Sequence, residues 1–147
     1  MHYQGSCLCG SIQYRINGEL SEFGYCHCRS CQKASGSAFG ANAGIERRLV
    51  EFEDPHQLLT EYQSSATKFR VFCRHCGSPM YAYLSTSPDL IRIRLGSLDT
   101  PLNKTCRAHT FVSEKASWEI IADNVPQFEQ WADPNVLVQL GSKQKLT

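Results

Sequence analysis

Seven of the eight cysteines in this 147-residue chain fall into three tight clusters, and that spacing constrains the fold more than anything else in the sequence. The clusters are Cys7-Leu8-Cys9, Cys26-His27-Cys28-Arg29-Ser30-Cys31 and Cys73-Arg74-His75-Cys76. Thiolates one to three residues apart reach a single tetrahedral ion with little chain to close, which is the pattern of zinc ligation. Seven donors do not divide into two closed sites, but they do divide into four and three. A closed four-thiolate site is structural, whereas three protein ligands leave a position for water or substrate. The odd count therefore argues for chemistry as well as architecture.

Other uses of clustered cysteine fit less well. A disulfide framework belongs to an oxidising compartment. Residues 1–20 contain no apolar core of signal-peptide length, and no stretch approaches a membrane span. The expected location is the cytoplasm, where thiols stay reduced. A redox dithiol at Cys73-x-x-Cys76 would want a strand-to-helix entry in a βαβ setting, which the flanking residues do not offer. Iron–sulfur ligation is chemically compatible with thiolates, and a colourless protein would remove it.

Length and a hydrophobic content of 41% suit one globular domain over residues 1–147 with its own core. The formal charge is +1 and no basic run exceeds Arg47-Arg48, so no nucleic-acid partner is expected. Seven thiolates with two zinc ions would carry the chain to about −2, weakening that reading further.

Period-two alternation points mainly to strands. Ile12, Tyr14 and Ile16 alternate with polar residues, as do Ile91, Ile93 and Leu95, and Phe69, Val71 and Cys73. The third cluster should therefore begin where a strand ends, with Cys76-Gly77 at a hairpin tip and Met80 to Leu84 as the return strand. A helical turn is expected over 29–34, ended by Gly36. A short C-terminal helix is expected from Gln127 to Trp131, and a frayed tail over 142–147.

Spacing alone leaves the pairing of clusters open. Cys7 and Cys9 could close a site with Cys73 and Cys76, or with Cys26 and Cys28. His27 lies between two proposed ligands, so in an extended segment its side chain points away from theirs, towards solvent or an outer-shell role. His75 is read in the same way. The small residues 35–41 admit either a ligand against backbone amides or a tight turn into a strand. Cys106 is expected to be a buried free thiol, His109 a satisfied structural histidine, and Arg92 and Arg94 a solvated face.

Taken together, the motifs resemble the family of glutathione-dependent formaldehyde-activating enzymes, which shares its domain with a centromere-associated protein. The resemblance is carried by Gly5-Ser6-Cys7-Leu8-Cys9-Gly10, by Tyr25-Cys26-His27-Cys28-Arg29-Ser30-Cys31-Gln32-Lys33-Ala34-Ser35-Gly36-Ser37 and by Phe72-Cys73-Arg74-His75-Cys76-Gly77-Ser78. Segments 95–99, 109–112, 116–118 and 125–128 extend it over a core of about residues 3–131. The resemblance implies a mainly β, β-tent (Mss4-like) fold with two zinc ions per chain. It implies a structural zinc on Cys7, Cys9, Cys73 and Cys76, and a catalytic zinc on Cys26, Cys28 and Cys31. The implied activity is that of a carbon–sulfur lyase of the S-(hydroxymethyl)glutathione synthase type, with glutathione as co-substrate and no membrane partner. The alternative is a non-catalytic zinc module that binds protein or nucleic acid.

Overall fold

A computed structural model describes residues 2–141, so the tail expected over 142–147 lies outside the described residues. Along the chain run strands His2–Ser6 (β1), Gln13–Asn17 (β2) and Phe23–Cys26 (β3), helix Arg29–Ser35 (α1), and strands Gly40–Glu46 (β4), Val50–Glu53 (β5) and Leu59–Gln63 (β6). Lys68–Cys73 (β7), Pro79–Leu84 (β8), Ser87–Arg94 (β9), Cys106–Thr110 (β10) and helix Pro134–Gln139 (α2) follow. The architecture is mainly β, as expected. Two compact units divide it: one holds the chain up to Leu20 together with Gly44–Asn103, the other Ser21–Ala43 together with the chain from Lys104.

In the first unit, β1, β2 and β5 form an antiparallel sheet in the order β1-β2-β5, and β6 to β9 form an antiparallel meander. Alternation decides which side chains go inside: Tyr14 and Ile16 of β2 are buried while Gln13, Arg15 and Asn17 are exposed. With Tyr3, Ile12, Val71, Met80, Ile91 and Ile93 they make the core, each contributing about 1.5–3 kcal/mol by leaving water. Gly5 pairs with Tyr14, and a β-carbon there would lie 2.1 Å from the tyrosine ring. The missing side chain lets the phenol cross β1 and reach Ser97 Oγ at 2.7 Å. Leu95, expected to continue the β9 alternation, instead opens a 3-10 turn over Leu95–Ser97. That turn brings Asp99 and Thr100 to β1, where both backbone N–H groups donate to Gln4 O.

The second unit orders its strands β10-β3-β4, with β10 parallel and β4 antiparallel to β3. Helix α1 follows β3 almost directly and stops at Gly36, whose φ of 65° is the left-handed cap expected there. The residues after it bend and enter β4, so segment 35–41 serves as a turn into a strand. The C-terminal helix is displaced from its expected place. Gln127–Trp131 is not helical, and α2 begins at Pro134. The reason is the open edge of β10, whose backbone groups need partners. His109 N donates to Pro126 O, Phe128 N to His109 O and Phe111 N to Gln130 O, each at 2.9 Å. Proline, with φ preset for a first helical position, then starts the helix beyond this extended stretch. Among the described residues no helix is long and apolar enough to cross a membrane.

Candidate metal centres

In the first unit the structure brings Cys7, Cys9, Cys73 and Cys76 together, all four Sγ atoms lying within 4.8 Å of one another. The pairing of the outer two clusters is thus the one adopted. Each pair sits on a tight knuckle closed by a glycine at positive φ, 77° at Gly10 and 79° at Gly77. Gly10 N donates to Cys7 O at 3.0 Å and Gly77 N to Cys73 O at 2.7 Å. Strand β7 ends at Cys73 and β8 returns from Pro79, so the second knuckle is the tip of the expected hairpin. Ser78 ties the knuckles together: its Oγ accepts from Leu8 N at 2.8 Å and lies 3.2 Å from Cys76 Sγ.

These four donors fit a thiolate-binding divalent ion. Zinc–sulfur bonds of 2.3 Å imply sulfur–sulfur separations of about 3.8 Å, and Cys7 Sγ and Cys9 Sγ are 3.5 Å apart. The hydrogen bond with Ser78 holds the Cys76 thiol down to about 5, and a bond with Ser11 lowers Cys9. Burial pushes Cys73 up to about 11. A divalent cation among them would favour the thiolate form of Cys9, Cys73 and Cys76 alike, against these opposed preferences.

The second cluster lies within the second unit. Cys26 ends β3, Cys28 is the N-cap of α1, and Cys31 sits one turn along. Their Sγ atoms lie within 4.8 Å of one another, and among the described residues no fourth cysteine, histidine, aspartate or glutamate joins them. Cys28 Sγ accepts from Cys31 N at 3.3 Å, as a capping side chain does. Hydrogen bonds with Cys28 and Cys31, together with burial, raise the Cys26 thiol well above its ordinary value. Cys28 is lowered by its bond with Cys26, but Cys31 and burial outweigh this and raise it overall. Crowding of this kind is relieved when a dication makes all three groups anionic.

Several residues around this cluster carry no spacing signal. Gln32, buried in α1, donates from Nε2 to His27 O at 2.7 Å and to Glu114 O at 2.9 Å. Glu114 Oε1 in turn accepts from Arg29 N at 3.2 Å. Gln32 lies in the motif run after Cys31, whereas Glu114 and Asp123 are distant in sequence and only the fold reveals them. His27 is fully buried rather than facing solvent, because its ring packs edge-on against Phe39 and bonds to His109. It is not grouped with the three cysteines as a donor. His109 is satisfied, as expected, between His27 and Asp123. Cys106 is half-buried and free, with its thiol donating to Ala108 O at 3.3 Å. Arg92 and Arg94 are half-buried rather than a fully solvated face. His75 is exposed on its knuckle and outside both clusters.

Residues 2–114 match the model of the family described as glutathione-dependent formaldehyde-activating enzyme. An uncharacterised lyase of Schizosaccharomyces pombe is 30% identical over 79 residues, which is 54% of this chain and only 56% of that protein's length. A Halomonas elongata protein provisionally named as a glutathione-dependent formaldehyde-activating enzyme is 26% identical, with 80% of each chain covered. A crystal structure of a Rhodobacter sphaeroides protein superposes with a TM-score of 0.56 at 21% identity, covering 68% of this chain and 91% of that one. That superposition supports the fold.

Proposed function

Because the chain belongs to the family of glutathione-dependent formaldehyde-activating enzymes, we propose that it is a zinc-dependent carbon–sulfur lyase that joins a thiol to a small carbonyl compound and reverses the step. Glutathione and formaldehyde are the substrates this reading favours, with S-(hydroxymethyl)glutathione as product. The observation that carries it is the Cys26/Cys28/Cys31 cluster, three thiol donors with no fourth donor residue beside them among the described residues. Cys7, Cys9, Cys73 and Cys76 would hold a second zinc as a structural tie. A reducing cytoplasm is the setting in which all seven sulfurs stay available.

A zinc ion on three thiolates would lower the pKa of a substrate thiol while acting as only a modest Lewis acid, which favours holding sulfur over activating water. The chain's own groups do the rest. Cys28 is oriented by the Cys31 N–H, and Gln32 clamps the Cys26–Cys31 loop to the turn at Glu114. In the forward reaction the sulfur lone pair forms the carbon–sulfur bond and the carbonyl π pair moves to oxygen. The thiol's proton ends on the new hydroxyl, so atoms and charge balance without an oxidant or reductant.

The test is isotope-labelled formaldehyde exchanging with glutathione, followed by NMR magnetisation transfer against the uncatalysed rate, with zinc per chain measured alongside. Two zincs and accelerated exchange support the proposal, and Cys28→Ser should abolish the acceleration and leave one zinc on a folded chain. Two zincs with no acceleration for any small thiol would refute it in favour of a non-catalytic module.

A further inference from the structure

His27 stands between Cys26 and Cys28 in the chain, and its ring takes no part in the chemistry above. Its backbone N–H donates to Thr110 O at 2.9 Å and its carbonyl accepts from Gln32 Nε2. Its ring Nε2 lies 2.8 Å from Nδ1 of His109, which is itself only 3% exposed. His109 Nε2 lies 3.1 and 3.0 Å from the two oxygens of Asp123. A buried ring is thus tied through a second buried ring to a carboxylate whose side chain is 45% exposed.

The carboxylate fixes the direction of every proton in this chain. It can only accept, so His109 carries hydrogen on Nε2 and offers a lone pair at Nδ1. His27 must then carry hydrogen on its own Nε2 and donate. The opposite polarity would require His109 to carry hydrogen on both ring nitrogens, as an imidazolium paired with Asp123. One consequence is visible: His27 Nδ1 is left as a buried nitrogen without a hydrogen-bond partner. The arrangement is therefore held for its geometry rather than for full satisfaction of polar groups. The rings are also wedged, His27 against Phe39 with centroids 5.3 Å apart and His109 against Tyr25 at 5.6 Å.

We propose that Asp123 and His109 are positioning residues for the three-thiolate site. By fixing the tautomer and tilt of His27 they lock the segment between Cys26 and Cys28, and so set how tightly the site holds its ion. The proposal rests on the reading that Cys26, Cys28 and Cys31 bind a divalent metal. Residues that orient a metal site from outside its ligands change affinity by about 10- to 100-fold. Acting through two intervening rings, those of His109 and His27, Asp123 falls near the lower end.

The experiment titrates zinc-loaded protein with a chromophoric chelator, resolving both sites, and reads the imidazole nitrogens by NMR. Asp123→Asn should weaken the second site about tenfold while the four-thiolate site and the melting temperature stay as in the parent. His109→Asn, whose amide oxygen can replace Nδ1 as the acceptor for His27, should lose less affinity than His109→Ala. In the parent both rings should show a protonated Nε2 and a bare Nδ1, with mixed tautomers at His109 in Asp123→Asn. Equal weakening of both sites, or a second site within twofold of the parent, would overturn the proposal. So would a parent His109 protonated at Nδ1. A parent protein that binds one zinc refutes the metal reading and the proposal with it, whereas two zincs with an unaffected Asp123→Asn refute positioning alone.

Discussion

Replacing Ser78 with alanine tests the clamp on the four-thiolate site. The hydroxyl serves two groups at once, accepting from Leu8 N at 2.8 Å and lying 3.2 Å from Cys76 Sγ. With an ion present Cys76 is a thiolate, and the Ser78 O–H donates to it. Hydrogen bonds to charged groups are worth about 1.5–3 kcal/mol, and the half-open knuckle argues for the lower end. The Leu8 N–H is exposed and regains most of its bond from water, adding about 0.5 kcal/mol. The total is about 2 kcal/mol, a factor of about 30 in zinc affinity. A pH effect accompanies it. Ser78 holds the Cys76 thiol down to about 5, from an ordinary value of 9.0. A depressed acid stabilises the folded, metal-binding state fully above its ordinary value and loses that contribution as pH falls through the depressed one. Ser78→Ala should therefore release zinc from this site at a higher pH than the parent. Chelator competition at pH 7, followed by zinc release on acidification, reads both effects. Affinity within threefold of the parent together with an unmoved acid limb would refute the clamp.

Other perturbations have equally definite outcomes. Gly24→Ala places a β-carbon 2.8 Å from Ala108 O and should push β3 away from β10. A stability loss of about 1–3 kcal/mol in urea unfolding is expected, with weaker zinc uptake at the Cys26 cluster. Glu22 bonds Arg107 at 2.9 Å and Lys104 at 3.4 Å, and Arg107 above all holds its carboxyl below the usual carboxylate range. Glu22→Gln should cost about 0.5–1 kcal/mol near neutral pH, and the difference should vanish as pH falls below the carboxylate range. Mild chelation should strip one zinc before the other, because an ion held by three protein ligands dissociates more easily than one held by four. Equal resistance of both ions, read by mass spectrometry, would contradict the division into four and three.

The sequence alone was enough to determine the local geometry of the cysteine knuckles and which strand faces are buried. Cys-x-Cys and Cys-x-x-Cys knuckles, each closed by a glycine, are short-range objects, and their geometry follows from a few backbone angles. Gly10 and Gly77 take the positive φ those knuckles need. Alternation placed Ile12, Tyr14, Ile16, Ile91 and Ile93 inside, because side-chain period and burial are coupled along one strand. The end of β7 at Cys73 and the stop of α1 at Gly36 were legible for the same reason.

Tertiary structure decided what depends on residues far apart in the chain. Spacing allowed Cys7 and Cys9 two sets of partners, and only the assembled sheet chose Cys73 and Cys76. The helix expected at Gln127–Trp131 gave way to an extended path because β10 has an open edge to be paired, a demand invisible in the local pattern. Local pattern left His27 either facing solvent or in an outer-shell role; the fold buries it against His109, 82 residues away, and anchors that pair on Asp123. No periodicity announces such a chain of polar groups. Its members meet only because strands β3 and β10 lie side by side in the folded chain and bring His27 and His109 together.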